Sequence, residues 1–404
     1  MSTNGGATGA PVFFATGLNL DGQLGLRTDE RNFATLTAVP DAASASAEVV
    51  AFSASLRHSC LVLDDGSLLT CGARACGALG RPPQKSTRFR RVDALEPFKL
   101  EHVTAGNFFT CTWEGNGNGA VGFGANQRGQ LGVSDREEHA RPKAMSKQTR
   151  GIQLCQLQSG ADHSIALSSS GDVLVWGSVR DGQMGTGQYT SLAAPTPVAP
   201  LLKRPMVQVA AGTCGSFCLA ITASGILYSW GENNSYQLGH GDTKPRTRPE
   251  VVSALRVARV TLVAAGQHHT VAVSRSGQLF SWGKNTSGQT GHGRRIGEKE
   301  NTCPIVETPR IIERFRDLLC DKPRHTCVAA ISCGIAHSIA LLDIPDDDAS
   351  GRSHMSEIYA FGQNTSGQLG LNNFESRTKP TKVDISSTGY NVVSRIWCGG
   401  HNTF

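Results

Sequence analysis

The feature that most constrains this chain is a glycine-closed string that returns about every fifty residues. "FSWGKNTSGQTGHG" runs from Phe280 to Gly293, "YSWGENNSYQLGHG" from Tyr228 to Gly241, and "AFGQNTSGQLG" from Ala360 to Gly370. With "ATGLNLDGQLG", "TCGARACGALG", "GFGANQRGQLG" and "VWGSVRDGQMGTG" there are seven copies. Their closing glycines are Gly25, Gly80, Gly132, Gly185, Gly239, Gly291 and Gly370, at intervals of 55, 52, 53, 54, 52 and 79. A second string keeps the same beat: "TAGNFFT", "QSGADHS", "AAGTCGS", "AAGQHHT" and "SCGIAHS", with "SASLRHS" degenerate near the start and "WCGGHNT" at the end. A fixed period of this size marks a repeat architecture and outranks any single motif within it.

The period disposes of one tempting reading. The stretch around Lys284 has the glycines, lysine and hydroxyls of a phosphate-binding loop. That loop needs Gly-x4-Gly-Lys-Ser/Thr, but Gly277 and Gly283 are separated by five residues and Asn285 follows Lys284. The string is instead expected to be a turn between two strands. Its Gly-x-x-Gly elements take backbone conformations that residues with a Cβ resist.

Between the two strings lies apolar sequence broken by glycine turns. "HTVAVSRSGQLFSWG" reads as a hairpin, with strands around Val271–Ser274 and Gln278–Trp282. "RVTLVAAG" supplies a strand before it, and links such as "RPEVVSAL" supply an outer one. Four antiparallel strands in about fifty residues make a propeller blade, and blades must stack in a ring to bury both faces. The fold class is therefore all-β: a seven-bladed β-propeller forming one domain over residues 1–404, with a flexible N-terminus at 1–11. Trp176, Trp230, Trp282, Phe123 and Phe361, with Cys71 and Thr16 in weaker copies, precede a glycine at one repeat position. The large ones read as apolar wedges between blades. "PVFFATG" opens the chain as a third strand, and "RIWCGGHNTF" closes it as a first strand and part of a second. The N-terminal strand should pair with the C-terminal ones and latch the ring.

The alternation of "AAGQHHTVAV" with "FSWGKNTSGQTG" resembles the repeat of the regulator of chromosome condensation family, over almost the whole chain. The resemblance implies a seven-bladed propeller. It also implies one activity, since exchange-active members release guanine nucleotide from the small GTPase Ran with one propeller face. "WGSVRDG" is similar to the blade that carries their exchange wedge, and "SGADHS" and "AAGQHHTV" to loops supplying acidic and histidine contacts. On this resemblance Asp162, His163, Arg180, Asp181, His268 and His269 are the candidate GTPase contacts. Three departures stand against it: no long insertion follows Asp181, Thr213 and Cys214 stand where an acid is wanted, and "QHHTV" follows "ADHS" by two blades rather than three.

Nothing in the sequence points to covalent or hydrolytic chemistry. There is no Gly-x-Ser-x-Gly elbow and no His-Glu-x-x-His. Histidines recurring at one repeat position (His58, His163, His269, His337) read as structural hydrogen-bonders. The twelve cysteines include no Cys-x-x-Cys, and Cys71, Cys333 and Cys398 occupy packing slots of the repeat. No metal and no cofactor is expected. Asp346, Asp347 and Asp348 are consecutive and read as a solvated loop, because a calcium site alternates its ligands. The N-terminal residues lack the pattern of a secretory signal, and no run approaches a membrane span. The expectation is a soluble monomer in the cytoplasm or nucleus.

Strand order assigns surfaces. Turns between strands one and two, and three and four, share a first face; the two–three turn and the blade-to-blade link share a second. Asp162, His163, Arg180, Asp181, His268 and His269 are expected on the first. The second should carry two insertions, 294–326 and 343–357. The repeat spends 43 residues from Gly291 to Gly334 against 27 from Gly239 to Gly266, and 24 from His337 to Phe361 against 13 from His269 to Trp282. "RIIERFRDLL", Arg310 to Leu319, spaces Ile311, Ile312, Phe315, Leu318 and Leu319 as an amphipathic helix. "RPPQKSTRFRR" is assigned to the second face as well, offering Arg81, Lys85, Arg88, Arg90 and Arg91 to an acidic protein partner or, without sequence preference, to DNA and chromatin. The net charge of +6 is mild. The reading is a non-enzymatic scaffold for protein–protein interaction whose partner is expected on the insertion-bearing second face, with guanine nucleotide exchange on a Ran-type GTPase, chromatin-associated, as the alternative.

Overall fold

Two kinds of strand follow from the residue pattern. In "HTVAVS", His269–Ser274, every residue is buried, because second strands lie between neighbouring blades and have no solvent side. The outer strand Arg246–Val251 mixes exposed and half-buried residues, as an edge facing water must. The computed structural model describes residues 12–40, 48–82, 85–117, 119–293, 305–323, 325–345 and 354–404.

The strands form seven sheets. Six have four antiparallel strands in sequence order: blade 1 from Val49 to Arg91, blade 2 from Leu100 to Ala144, blade 3 from Leu154 to Pro197, blade 4 from Met206 to Val251, blade 5 from Val260 to Ile311 and blade 6 from Cys327 to Val383. Blade 7 is assembled from both ends of the chain. Phe14–Leu18 lies between Asn32–Ala38 and Asn402–Thr403, with Thr16 opposite Thr403 and Gly17 opposite Asn402. Cys398 bridges to Thr403, and Trp397 and Phe404 exchange backbone hydrogen bonds of 2.9 and 2.8 Å. The ring closes as the repeat requires.

Blades are stitched together by the repeat positions singled out in the sequence. Trp176, Trp230, Trp282, Phe123 and Phe361 are fully buried. The indole N–H of Trp230 donates to the Gln183 carbonyl of the preceding blade at 2.9 Å, and Trp282 to Gln237 at 2.8 Å. First strands surround the axis and are joined by side-chain amides and hydroxyls. Gln158 Oε1 accepts from Ala211 N, Gln208 Oε1 from Val263 N, and Ser332 Oγ from Cys398 N. They leave a channel of about 240 Å3 along the axis. The opening string is indeed a turn: Gly288 has φ +84°, and a Cβ there would come within 2.6 Å of Thr378 Cα in the next blade.

The structure corrects three expectations. The helix spans Glu313–Cys320, because Arg310 and Ile311 already pair with Ser281 and Phe280 as the end of the outer strand. Not all of the insertion 294–326 is blade link: of its described residues, Ile305–Ile311 form the outer strand of blade 5, and only the helix and the residues after it lie in the link. Third, "RPPQKSTRFRR" is not a blade link. Arg81 and Lys85 sit in the three–four turn of blade 1, hence on the first face, and Arg88, Arg90 and Arg91 lie on the outer strand Ser86–Arg91. Only Arg91, at the far end of that strand, reaches the second-face turn, where it pairs with Asp65 at 2.6 Å. The acidic run Asp346–Asp348, residues 294–304 and the N-terminal 1–11 lie outside the described residues.

Candidate functional site

The first face is built from the one–two turns around the axis and the three–four turns outside them. The inner turns are fixed to one another. Asn107 N donates to Ala161 O, Ala161 N to Gly215 O, Gln267 N to Ile335 O, Ile335 N to Gly400 O and Gly400 N to Ser55 O, all within 3.3 Å. These blade-to-blade bonds make the face a rigid platform.

Blade 4 closes its centre. Between Gly212 and Phe217 the chain carries four residues where Gly160 and His163 of blade 3 enclose two. The longer turn crosses the axis. Thr213 Oγ1 donates to Ala265 O in blade 5 at 3.1 Å and to Cys333 O in blade 6 at 2.9 Å. Cys214, with φ +55°, lies against the Leu56 backbone of blade 1 on the opposite side of the ring. Burial first, opposed by that hydrogen bond, pushes the Cys214 thiol up to about 12. The channel is capped on this face.

Around the cap, each blade boundary sets one three–four residue against one one–two residue. Between blades 7 and 1, Arg57 Nε meets Asp21 Oδ2 at 2.7 Å and Nη2 meets Oδ1 at 3.2 Å. Between blades 2 and 3 the polarity reverses, with Arg128 facing Asp162. Burial raises the Asp162 carboxyl, while Arg128 and Arg180 pull it back down. Between blades 3 and 4 stands Asp181. Glu232 is beside it, raised by burial first and by Asp181 second. His268 Nδ1 lies 3.8 Å from Glu232 Oε1; burial and then Lys284 hold this imidazole below its usual range.

Of the sequence candidates, Asp162, Asp181 and His268 are half-buried and Arg180 is exposed, all on this face. His163 and His269 are a correction. Both are fully buried, and their ring nitrogens serve the blade interface, 3.2 Å from Cys218 Sγ and 2.8 Å from Ser338 Oγ. As folded they cannot meet a partner. Sequence reading missed Glu232 and the blade-4 cap. The signal for the cap was the two extra residues in "AAGTCGSF"; that for Glu232 was an acid where Ala73, Ala125 and Ser178 stand in other blades.

The basic stretch divides by environment. Arg81 Nη2 donates to Thr70 O at 2.9 Å, and burial lowers its pKa, followed by repulsion from Arg90. Lys85 pairs with Asp29 of blade 7 at 2.9 Å. Arg88 and Arg90 are exposed and carry no ion pair within 4 Å among the described residues. The described residues hold no group of three His, Cys, Asp or Glu side chains able to bind a metal ion, and no helix among them is long and apolar enough to cross a membrane. Cysteines 155, 320 and 327 are exposed rather than packed.

Six four-stranded blades and a three-stranded seventh, closed into a ring that is capped and charged on one face, define a seven-bladed β-propeller. The chain belongs to the RCC1-like domain family, whose model matches residues 12–404. It is 32% identical over 363 residues to the Probable E3 ubiquitin-protein ligase HERC4 of Rattus norvegicus, covering 86% of this chain and 32% of that protein. It is 32% identical over 290 residues to the Ultraviolet-B receptor UVR8 of Arabidopsis thaliana, covering 71% and 58%. The chain thus spans about a third of HERC4 and somewhat more than half of UVR8. Among solved structures, human WBSCR16 matches with a TM-score of 0.78 at 22% identity, over 97% of both chains. Prp20p of Saccharomyces cerevisiae matches at 0.77 and 20% identity, over 97% of this chain and 90% of that one. At these identities the structural matches speak for the fold alone.

Proposed function

We propose that this chain is a non-enzymatic interaction propeller that seats a protein partner on its first face. One observation carries the reading. That face combines a fixed backbone, a capped centre and half-buried charged side chains (Asp162, Asp181, Glu232) with no lysine or arginine within 4 Å among the described residues. Rigid scaffolds presenting loops of this kind are where binding concentrates.

The second reading is nucleotide exchange on a Ran-type small GTPase, with chromatin association. Asp162, Arg180 and His268 on one face favour it, and Prp20p has been studied for its binding to Gsp1p and histones. The blade-3 turn speaks against it. Residues 178–191 match in length the turns 125–138, 232–245 and 363–376, so no extra segment is available as a wedge. The basic residues Arg81, Lys85, Arg88, Arg90 and Arg91 belong to a contact with acidic protein or DNA phosphates on the blade-1 rim. Such a contact weakens steeply with salt.

The experiment compares partners retained by the native chain with those retained by two charge variants of equal thermal stability. One is D162K/E232K on the first face; the other is D65K/D343K on the second. Partners lost only from the first-face variant are expected. Equal retention by all three removes the reading. Labelled-GDP release from a panel of small GTPases separates the alternative: acceleration abolished by Asp162→Ala would establish exchange.

A further inference from the structure

We propose that the first-face boundary between blades 3 and 4 is a receptor for one arginine side chain of a protein partner, held between Asp181 and Glu232 above Ser216. The proposal deepens the first-face reading and rests on it.

The chain's own repetition points there. Asp21 N donates to Gln23 Oε1 at 2.9 Å, and Asp181 N donates to Gln183 Oε1 at 2.9 Å, so Asp21 and Asp181 hold the same position in blades 7 and 3. Ala73 N donates to Arg57 O at 2.8 Å, and Glu232 N to Ser216 O at 2.9 Å. Ser216 therefore stands where Arg57 stands, and Glu232 where Ala73 stands. The next blade packs alike at both places. A Cβ on Gly22 would strike Thr87 Cα and Ser86 O, and one on Gly182 would strike Arg246 O and Thr247 Cα.

At the blade 7–1 boundary the chain supplies its own ligand, because the Arg57 guanidinium forks onto both oxygens of Asp21. At the blade 3–4 boundary the acid is kept, the arginine is replaced by a small hydroxyl, and a second carboxylate is added. The other boundaries differ. Arg128 faces Asp162 between blades 2 and 3, while Cys76 faces Phe108, Ser235 faces His268, Ser287 faces Ala336 and Ser366 faces His401 elsewhere. An acid facing a position without a base occurs only between blades 3 and 4.

Nearby groups do not neutralise the pair. Arg180 is exposed and makes no ion pair within 4 Å of either acid, although its charge acts on Glu232 from further away. His268 approaches Glu232 no closer than 3.8 Å, burial and Lys284 disfavour its cationic form, and Asn234 Nδ2 donates to Glu232 Oε1 only at 3.4 Å. A planar guanidinium suits two carboxylates with separated oxygens, whereas an ammonium acts as a point charge.

The test uses a defined probe, acetyl-Gly-Arg-Gly-amide, titrated into the isotope-labelled 404-residue chain and followed by NMR at Gly182, Ser216 and Glu232. The citrulline peptide, of the same shape but uncharged, is the control. Saturable shifts in the millimolar range are expected, about tenfold weaker with citrulline and in D181N/E232Q. Ser216→Arg, which supplies the missing arginine internally, should abolish them without lowering the melting temperature. Equal response to both peptides, an unchanged response in D181N/E232Q, or no response in the native chain overturns the proposal. A protein partner of the first face that still binds both variants leaves the first-face reading standing and removes only the arginine receptor.

Discussion

Four histidines at one repeat position show what single residues do here. His58, His163, His269 and His337 are fully buried, and each places Nε2 against a hydroxyl or thiol at the start of the next blade's second strand. In three blades that hydroxyl donates onward to a turn carbonyl: Thr110 to Ala78, Ser338 to Gln289 and Thr403 to Gln368. The hydroxyl must then accept from Nε2–H, which fixes that nitrogen as the protonated one in the neutral ring. Burial pushes His58 and His163 down to about 4, and His269 and His337 to about 3, against a small opposing backbone hydrogen bond. An unfolded histidine titrates near 6.5, so between that pH and about 4 the unfolded chain binds the extra protons. Stability is full above pH 6.5 and is lost as pH falls through this window, by about 1.4 kcal/mol per pH unit for each histidine. Calorimetry from pH 7.5 to 4.5 checks it. A melting temperature independent of pH, or an unaltered slope in His58→Gln, would contradict the relay.

At the scale of elements, the one α-helix among the described residues is an enlarged version of a link that is elsewhere a single 3-10 turn, as at Asp93–Leu95, Ala199–Leu201 and Ser253–Leu255. Phe315 is its anchor, fully buried and edge-on to Tyr359 at 5.6 Å. The segment after the helix is tied down by Glu357. That carboxylate accepts from Lys322 and Lys382, with closest approaches of 2.7 and 2.6 Å, and from Tyr359 O–H at 3.0 Å. Burial raises the Glu357 carboxyl, but the hydrogen bonds from Lys322, Lys382 and Tyr359 outweigh it and hold it below its usual range. Glu357→Gln should therefore cost about 1–3 kcal/mol at neutral pH, with less lost as pH falls toward the carboxylate range. Denaturant unfolding of both proteins at pH 7 and pH 4 measures it. A loss of equal size at both pH values would mean packing, not charge, ties the link.

The whole molecule stands on its closure. Blade 7 has only Asn402–Thr403 as its second strand, and Phe14–Leu18 contributes the third from the other end of the chain. Thr16 Oγ1 adds bonds to Phe33 O at 2.7 Å and to Gly367 O of blade 6 at 2.8 Å. Around the seam Phe13, Phe52, Trp397 and Phe404 form one aromatic cluster with centroids 4.4 to 6.0 Å apart. Deleting residues 1–18 would expose both edges of the seam, and open edges recruit other chains. The expected outcome is oligomers by light scattering and loss of a single cooperative transition. A monomer with an unchanged transition would show that six blades suffice.

The sequence by itself determined the repeat, the blade count, the wedge residues and the ring closure. Each rests on a local rule: glycine where the backbone turns, apolar runs where strands have no solvent side, and a period that only stacking satisfies. The tertiary structure alone decided which side chains meet. Asp21 and Arg57 are 36 positions apart, and nothing in either string says that the turn of one blade lies against the next blade's inner turn. The same packing makes His163 and His269 interior groups while leaving Asp162 and His268, their neighbours in sequence, on the surface. It also moves Arg81 and Lys85 to the first face, because the three–four turn is longer than its apolar pattern reveals. Pattern encodes burial along a strand; charge complementarity across a blade boundary exists only once the ring has closed.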